Sequence, residues 1–153
     1  MRHSKPRAGI ITAGLAAGIA VLFLACGGAD TDEQPQSEEV APPTAQILQP
    51  TEGASLEGPD VLVQLGVEGI SLAPAGLDSI NTGHLHLFVN HDLSPEGEVI
   101  PMGEGIIHLG LAQSEHQLTG LEPGEYTVIA VLGDYLHVRI PGSRTDTVHF
   151  TVR

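Results

Sequence analysis

The sequence predicts an all-β domain, an immunoglobulin-like antiparallel β-sandwich, over residues 46–153. Three observations carry this expectation. Short runs rich in leucine and β-branched residues are separated by Gly, Pro and Asp, and no stretch holds a helical period. Residues 126–133 (Tyr-Thr-Val-Ile-Ala-Val-Leu-Gly) are apolar on both faces, as a central strand is. Just before them stands Leu121-Glu122-Pro123-Gly124-Glu125-Tyr126, in which a leucine, a Pro-Gly turn and a tyrosine entering a strand match a tyrosine corner. In such a corner the hydroxyl bonds back to the chain and pins the loop between sheets.

The expected strands follow in order. Residues 45–48 open the sheet and Pro50-Thr51-Glu52-Gly53 turns. Residues 61–67 form a buried strand, residues 83–90 alternate, and residues 106–109 and 116–118 are shorter. The chain ends in residues 145–152, where Val148, Phe150 and Val152 share one face and Thr147, His149 and Thr151 the other.

Ahead of this domain lies a targeting segment. Met1 to Arg7 is cationic without an acid, and residues 8–24 are apolar. Leu22-Phe23-Leu24-Ala25-Cys26-Gly27 then resembles a bacterial lipobox, with Phe23 where a smaller aliphatic residue is usual. Residues 1–25 therefore read as a lipoprotein signal peptide and Cys26 as the lipid attachment site. The alternative, an uncleaved anchor, is poorly served by an apolar run shorter than the roughly 20 residues that span a bilayer. Cys26 is the single cysteine of the chain. Its use there leaves no disulfide, no thiolate metal site and no cysteine nucleophile. Residues 26–45 hold many acids and three prolines with little apolar bulk, so they read as a disordered acidic tether. The expected location is the cell membrane or outer membrane, lipid-anchored, facing the periplasm or exterior.

The whole chain carries a net charge of −13. Beyond the signal segment the basic residues are Arg139, Arg144 and Arg153, against all 19 acids. Such a surface repels phosphate backbones, which argues against nucleic acid as a partner.

Histidine is the chemically informative residue. His84 and His86 flank Leu85 on an expected strand, where residues two apart share a face. Leu85, Leu87 and Val89 then face the core, and the two imidazoles stand together on the other side. Neighbouring imidazoles can share one metal ion. Further ligands would come from His108 or from the pair Asp134 and His137. Nitrogen and carboxylate donors without sulfur suit Cu(II), Zn or Ni rather than Ca or Mg. The competing reading of the same residues is a buried polar network, in which Asp134 orients His137 while His84 and His86 bond the backbone of a neighbouring strand. His91, His116 and His149 read as surface or loop residues.

The chain also resembles the bacterial domain of unknown function 4399 family. The resemblance runs in order through Leu72-Ala73-Pro74-Ala75-Gly76, Asn81-Thr82-Gly83-His84-Leu85-His86-Leu87, Ile107-His108-Leu109-Gly110, Gln113-Ser114-Glu115, Leu121-Glu122-Pro123-Gly124 and Leu132-Gly133-Asp134 with His137. It implies a small exported domain whose members share a histidine cluster. The family pattern is richer in histidine than this chain. Leu85 stands where the family has the middle of three histidines, Ile106 where it has the first of a His-x-His pair, and Tyr135 where it has a histidine after Gly-Asp. The positions kept are His84, His86, His108, Asp134 and His137.

No nucleophile elbow, phosphate-binding loop or His-Glu-x-x-His is present, and nothing singles out Glu104 or Asp134 as a general base, so an enzyme is not expected. Two expectations remain open. One is a membrane-anchored binding module with a Cu or Zn site. The other is a structural or interaction domain without metal, meeting another envelope protein through its sheet faces or edges.

Overall fold

The computed structural model describes residues 41–153. The expected signal peptide, the lipid-bearing Cys26 and the tether as far as residue 40 lie outside the described residues. Among the described residues the elements are all strands: β1 (Thr44–Gln49), β2 (Ala54–Leu56), β3 (Val61–Glu68), β4 (Ser71–Leu72), β5 (Thr82–Val89), β6 (Ile106–Leu109), β7 (Glu115–Leu118), β8 (Gly124–Gly133) and β9 (Asp146–Val152).

They form a β-sandwich. One sheet has the order β1-β3-β7, antiparallel throughout. The other runs β2-β9-β8-β5, with β2 parallel to β9 and β8 antiparallel to both its neighbours. Along its remaining edge β5 pairs with β4 at Thr82 and Gly83 and with β6 from Leu85 to Phe88. Between the sheets Ala45, Val61, Val63, Leu65 and Leu118 meet Leu85, Leu87, Leu109, Val128, Ala130, Leu132, Val148, Phe150 and Val152. Period-two alternation explains this membership. In β9, Val148, Phe150 and Val152 are buried while Thr147 and His149 are exposed, as the sequence pattern requires.

The apolar β8 lies between β5 and β9, which accounts for its two apolar faces. Its entry carries the tyrosine corner: Tyr126 Oη donates to the Glu122 carbonyl oxygen at 3.0 Å. The Tyr126 ring stacks on Phe150, its partner across β9, with centres 5.5 Å apart.

Two details differ from the sequence reading. The tether was expected to extend through residue 45, but β1 begins at Thr44 and Ala45 is fully buried, its N–H donating to Arg144 O at 2.9 Å. A methyl side chain is small enough to enter the core at this seam. The short strands β2 and β4 have no sequence signal, because two or three residues cannot display a period; they exist as parallel edge partners of β9 and β5.

The outer face of the larger sheet is also covered. Residues 97–100 run against residues 137–139, through Gly97 N–H to Arg139 O, Arg139 N–H to Glu98 O and Ile100 N–H to His137 O. This cover brings Ile100 onto Phe88 and Val131, a second apolar cluster with Leu93, Ile106 and Ile129 around it. Burying each such large side chain contributes on the order of 2 kcal/mol. All of residues 83–88 are consequently buried, on both faces of β5.

Candidate metal centre

Beside that second cluster, on the same outer face, four imidazoles converge. β5 supplies two of them, since Leu85 and Leu87 are consumed by the core and His84 and His86 must point outward. Register supplies the third: His86 pairs directly with His108 on β6, so their side chains share a face. The fourth, His137, comes from the loop after β8. That loop is fixed by Asp134, whose Oδ1 accepts the N–H groups of both Leu136 and Val138 at 2.8 Å. The Asp134 N–H donates to Val138 O and the His137 N–H to Asp134 O, both at 2.9 Å. His137 itself sits at φ 65°, in the left-handed region that non-glycine residues seldom occupy. The surrounding bonds over-determine this conformation, a pattern common at functional positions.

The rings form one compact group. Nε2 of His86 lies 2.9 Å from Nε2 of His84, and Nε2 of His137 lies 3.1 Å from Nε2 of His108. Ring centres are 4.8 Å apart for His84 and His86, 4.9 Å for His84 and His108, and 4.8 Å for His84 and His137. The remaining separations are 5.0 Å for His86 and His108, 5.8 Å for His86 and His137, and 4.7 Å for His108 and His137. His84, His108 and His137 can each offer a nitrogen with all three atoms within 4.8 Å. His84 and His86 are buried to 1% and 2% exposure, whereas His137 is half-buried and His108 exposed, so the group opens to solvent on one side.

Burial and the neighbouring rings favour the neutral form of His84, His86 and His108. Burial, then the neighbouring His137 and His108, push His84 down to about 4, with Asp134 opposing. Burial, then His84, His108 and His137, push His86 down to about 3. His108 is lowered by burial and by His137. Neutral imidazoles with free lone pairs are the form that ligates metal. A set of nitrogen donors fits a transition metal of the Zn or Cu type and lacks the oxygen cage that Ca or Mg needs.

All four expected histidines therefore meet. Asp134 Oδ1 is engaged by loop amides, and among the described residues the group whose ligand atoms all lie within 4.8 Å of one another is His84, His108 and His137. The competing network is realised only in part, because the rings of His84 and His86 contact each other rather than backbone. The remaining histidines lie elsewhere. His91 is exposed, His149 is exposed beside Glu52, and His116 lies half-buried on β7 in the other sheet.

Several supporting residues were not anticipated. Gly110 lies beneath the His108 ring: a Cβ there would stand 2.1 Å from Cε1 and 2.3 Å from Nε2 of that ring. Gly133 is the counterpart for His86, whose Nε2 would be 3.1 Å from an added Cβ. Arg139 and Glu96 join the covering loops. Arg139 Nη1 donates to Ser94 O at 2.5 Å, Nη2 pairs with Glu96 Oε1 at 3.4 Å, and Glu96 Oε2 accepts the Gly142 N–H at 2.9 Å. A glycine two residues after a strand histidine was the available signal for Gly110; the loop clamp has none in sequence.

Fold and site together define a β-sandwich domain with a four-histidine cluster on the covered outer face of one sheet. The family model described as Domain of unknown function (DUF4399) matches residues 63–153, well over half of the chain, and the chain belongs to that family. The match begins inside β3, so β1 and β2 precede it. No curated protein matches the chain.

Proposed function

We propose that this protein is a membrane-anchored, extracytoplasmic metal-binding module that holds one transition-metal ion, of the Zn or Cu type, in its histidine cluster. The observation that carries this reading is the convergence of four imidazoles from three separate segments, two of them almost fully buried and one held at a left-handed backbone angle. The ring nitrogens face one another in pairs at 2.9 and 3.1 Å, an arrangement in which a cation between them would be held by several lone pairs at once. The lipobox-like Leu22 to Gly27 and the acidic segment behind it support attachment through Cys26 and presentation on a tether. The acidity of the chain also favours an envelope protein or a cation, not nucleic acid, as the partner. The strand order with β2 parallel to β9, together with the tyrosine corner, supports an immunoglobulin-like reading of the sandwich. Binding is the proposed role, since all four clustered side chains are imidazoles suited to ligation.

Elemental analysis of the full chain purified in detergent, followed by Zn and Cu titration, tests the reading. One equivalent should bind, and binding should be lost in the double substitution His84→Ala, His86→Ala. A wild-type chain that binds neither metal leaves an interaction domain whose imidazole contacts are hydrogen bonds, the reading favoured by the 2.9 Å His84–His86 contact alone. Incorporation of labelled palmitate, abolished by Cys26→Ala, tests the anchor.

A further inference from the structure

We infer that the cluster is a tetrahedral four-imidazole site selective for Zn(II), with His86 as its fourth and weakest ligand; this rests on the metal-binding reading above. The argument is geometric. With a metal–nitrogen distance of about 2.1 Å, each ring centre sits about 3.2 Å from the ion, so a tetrahedron places all six pairs of centres about 5.2 Å apart. A square plane instead demands four separations of about 4.5 Å and two of about 6.4 Å, the long pairs having no ring in common. Five of the six observed separations lie between 4.7 and 5.0 Å. The single long one is 5.8 Å, between His86 and His137, and its complementary pair, His84 and His108, is at 4.9 Å. The rings thus occupy the corners of a slightly elongated tetrahedron and not a plane.

Tetrahedral nitrogen coordination suits Zn(II), which has no geometric preference from its d electrons, and opposes Cu(II) and Ni(II), which favour tetragonal fields. Cu(I) also accepts a tetrahedron but is selected by thiolate and thioether sulfur, and this site is all imidazole. His86 is the outlying corner on further counts: it lies outside the trio His84, His108 and His137, whose ligand nitrogens are all within 4.8 Å of one another, and its second nitrogen is constrained. Its Nδ1 is buried without a partner. In the metal-free domain Nδ1 can be the bare nitrogen while the proton sits on Nε2 against His84. Ligation through Nε2 would move that proton onto a buried nitrogen with no acceptor, which weakens this ligand relative to the other three.

Co(II), a spectroscopic substitute for zinc, tests this on the unmutated full chain in detergent. The expected result is the intense visible spectrum of four-coordinate Co(II), displaced by one equivalent of Zn(II). Co(II) should bind about tenfold or more tightly than Ni(II), reversing the usual order of the two. His84→Ala, His108→Ala and His137→Ala should each abolish the band. His86→Ala should retain a four-coordinate spectrum with water in the vacant position and bind Zn(II) on the order of 10–100-fold more weakly. A weak six-coordinate Co(II) spectrum with Ni(II) preferred over Co(II) overturns the tetrahedral inference while leaving metal binding intact. An unchanged Zn(II) affinity in His86→Ala overturns the role of His86. Absence of binding by all these ions removes both the inference and the reading beneath it. The metal preference is measured on the native chain, so the test stands even if a buried variant misfolds.

Discussion

His86 and His108 face each other directly across the β5–β6 pair, with ring centres 5.0 Å apart. The next residues along each strand, Leu87 opposite Ile107 and Leu85 opposite Leu109, face the core instead. A slip of one residue would carry His108 into the sandwich and Leu109 out of it, so burial of Leu109 at 1% exposure enforces the register that assembles the site. The hydrophobic core and the histidine cluster are therefore specified by the same alternation, read from opposite faces of one strand pair.

Gly110 follows directly from this pairing. The His108 ring folds back over it, and no side chain fits beneath. Gly110→Ala should leave the fold intact, because this glycine needs no left-handed angle, but should drive the ring outward. The expected result is a loss of Zn affinity close to that of His108→Ala, with no further loss in the double variant. Calorimetric titration of the three variants in a double-substitution cycle checks it. Additive losses would show that Gly110 acts on something other than the His108 ring.

Asp134 separates ligation from positioning. Its Oδ1 holds two loop amides, a role that asparagine retains and alanine does not. Asp134→Ala should cost about 1–3 kcal/mol of stability through the released amides and weaken Zn binding about 10–100-fold through His137. Asp134→Asn should recover most of both. A loss in Asp134→Asn equal to that in Asp134→Ala would mean that the carboxylate charge acts on the ion.

Tyr126 offers a test of the fold away from the site. Tyr126→Phe removes the hydroxyl bond to Glu122 but keeps the stack on Phe150. Urea unfolding should show a loss of about 1 kcal/mol, with Zn binding unchanged.

Much of this arrangement was legible in the sequence, for a physical reason. Period-two alternation shows which side of a strand is wetted by the core, so Leu85 and Leu87 located His84 and His86 without coordinates. The apolar β8 and the Pro-Gly-x-Tyr entry similarly announced a central strand and its corner. What stayed hidden depends on pairing between distant segments. Nothing local shows that residues 97–100 lie against 137–139, yet that contact turns an outward face into a buried one and lowers the His84 and His86 titrations. Two positions where the resemblance implies a histidine are apolar in this chain. Ile106 packs in the cluster around Phe88, and Leu85 is fully buried in the core, so apolar side chains are at home in both places.

The buried imidazoles make stability depend on pH in a defined direction. In the unfolded chain His84 and His86 titrate near the ordinary value of about 6.5; in the folded metal-free domain they are held down to about 4 and about 3. Between these limits the unfolded chain binds more protons, so stability rises with pH across this window and is fully present above about pH 6.5. Acidification from pH 7 to pH 4 should therefore cost on the order of 3 kcal/mol through His86 alone. The acidic groups of the chain also respond near the bottom of this range, so the informative quantity is the difference between wild type and His86→Leu. Apolar replacement cannot be protonated and fills a pocket already bounded by Gly133 and Ile100. Thermal melts of the two metal-free proteins from pH 7 to pH 4.5 should show midpoints that diverge as pH falls, with the wild type losing more. Parallel curves would mean that protons reach His86 in the folded state as easily as in the unfolded chain, and that the cover over β5 does not exclude water from it.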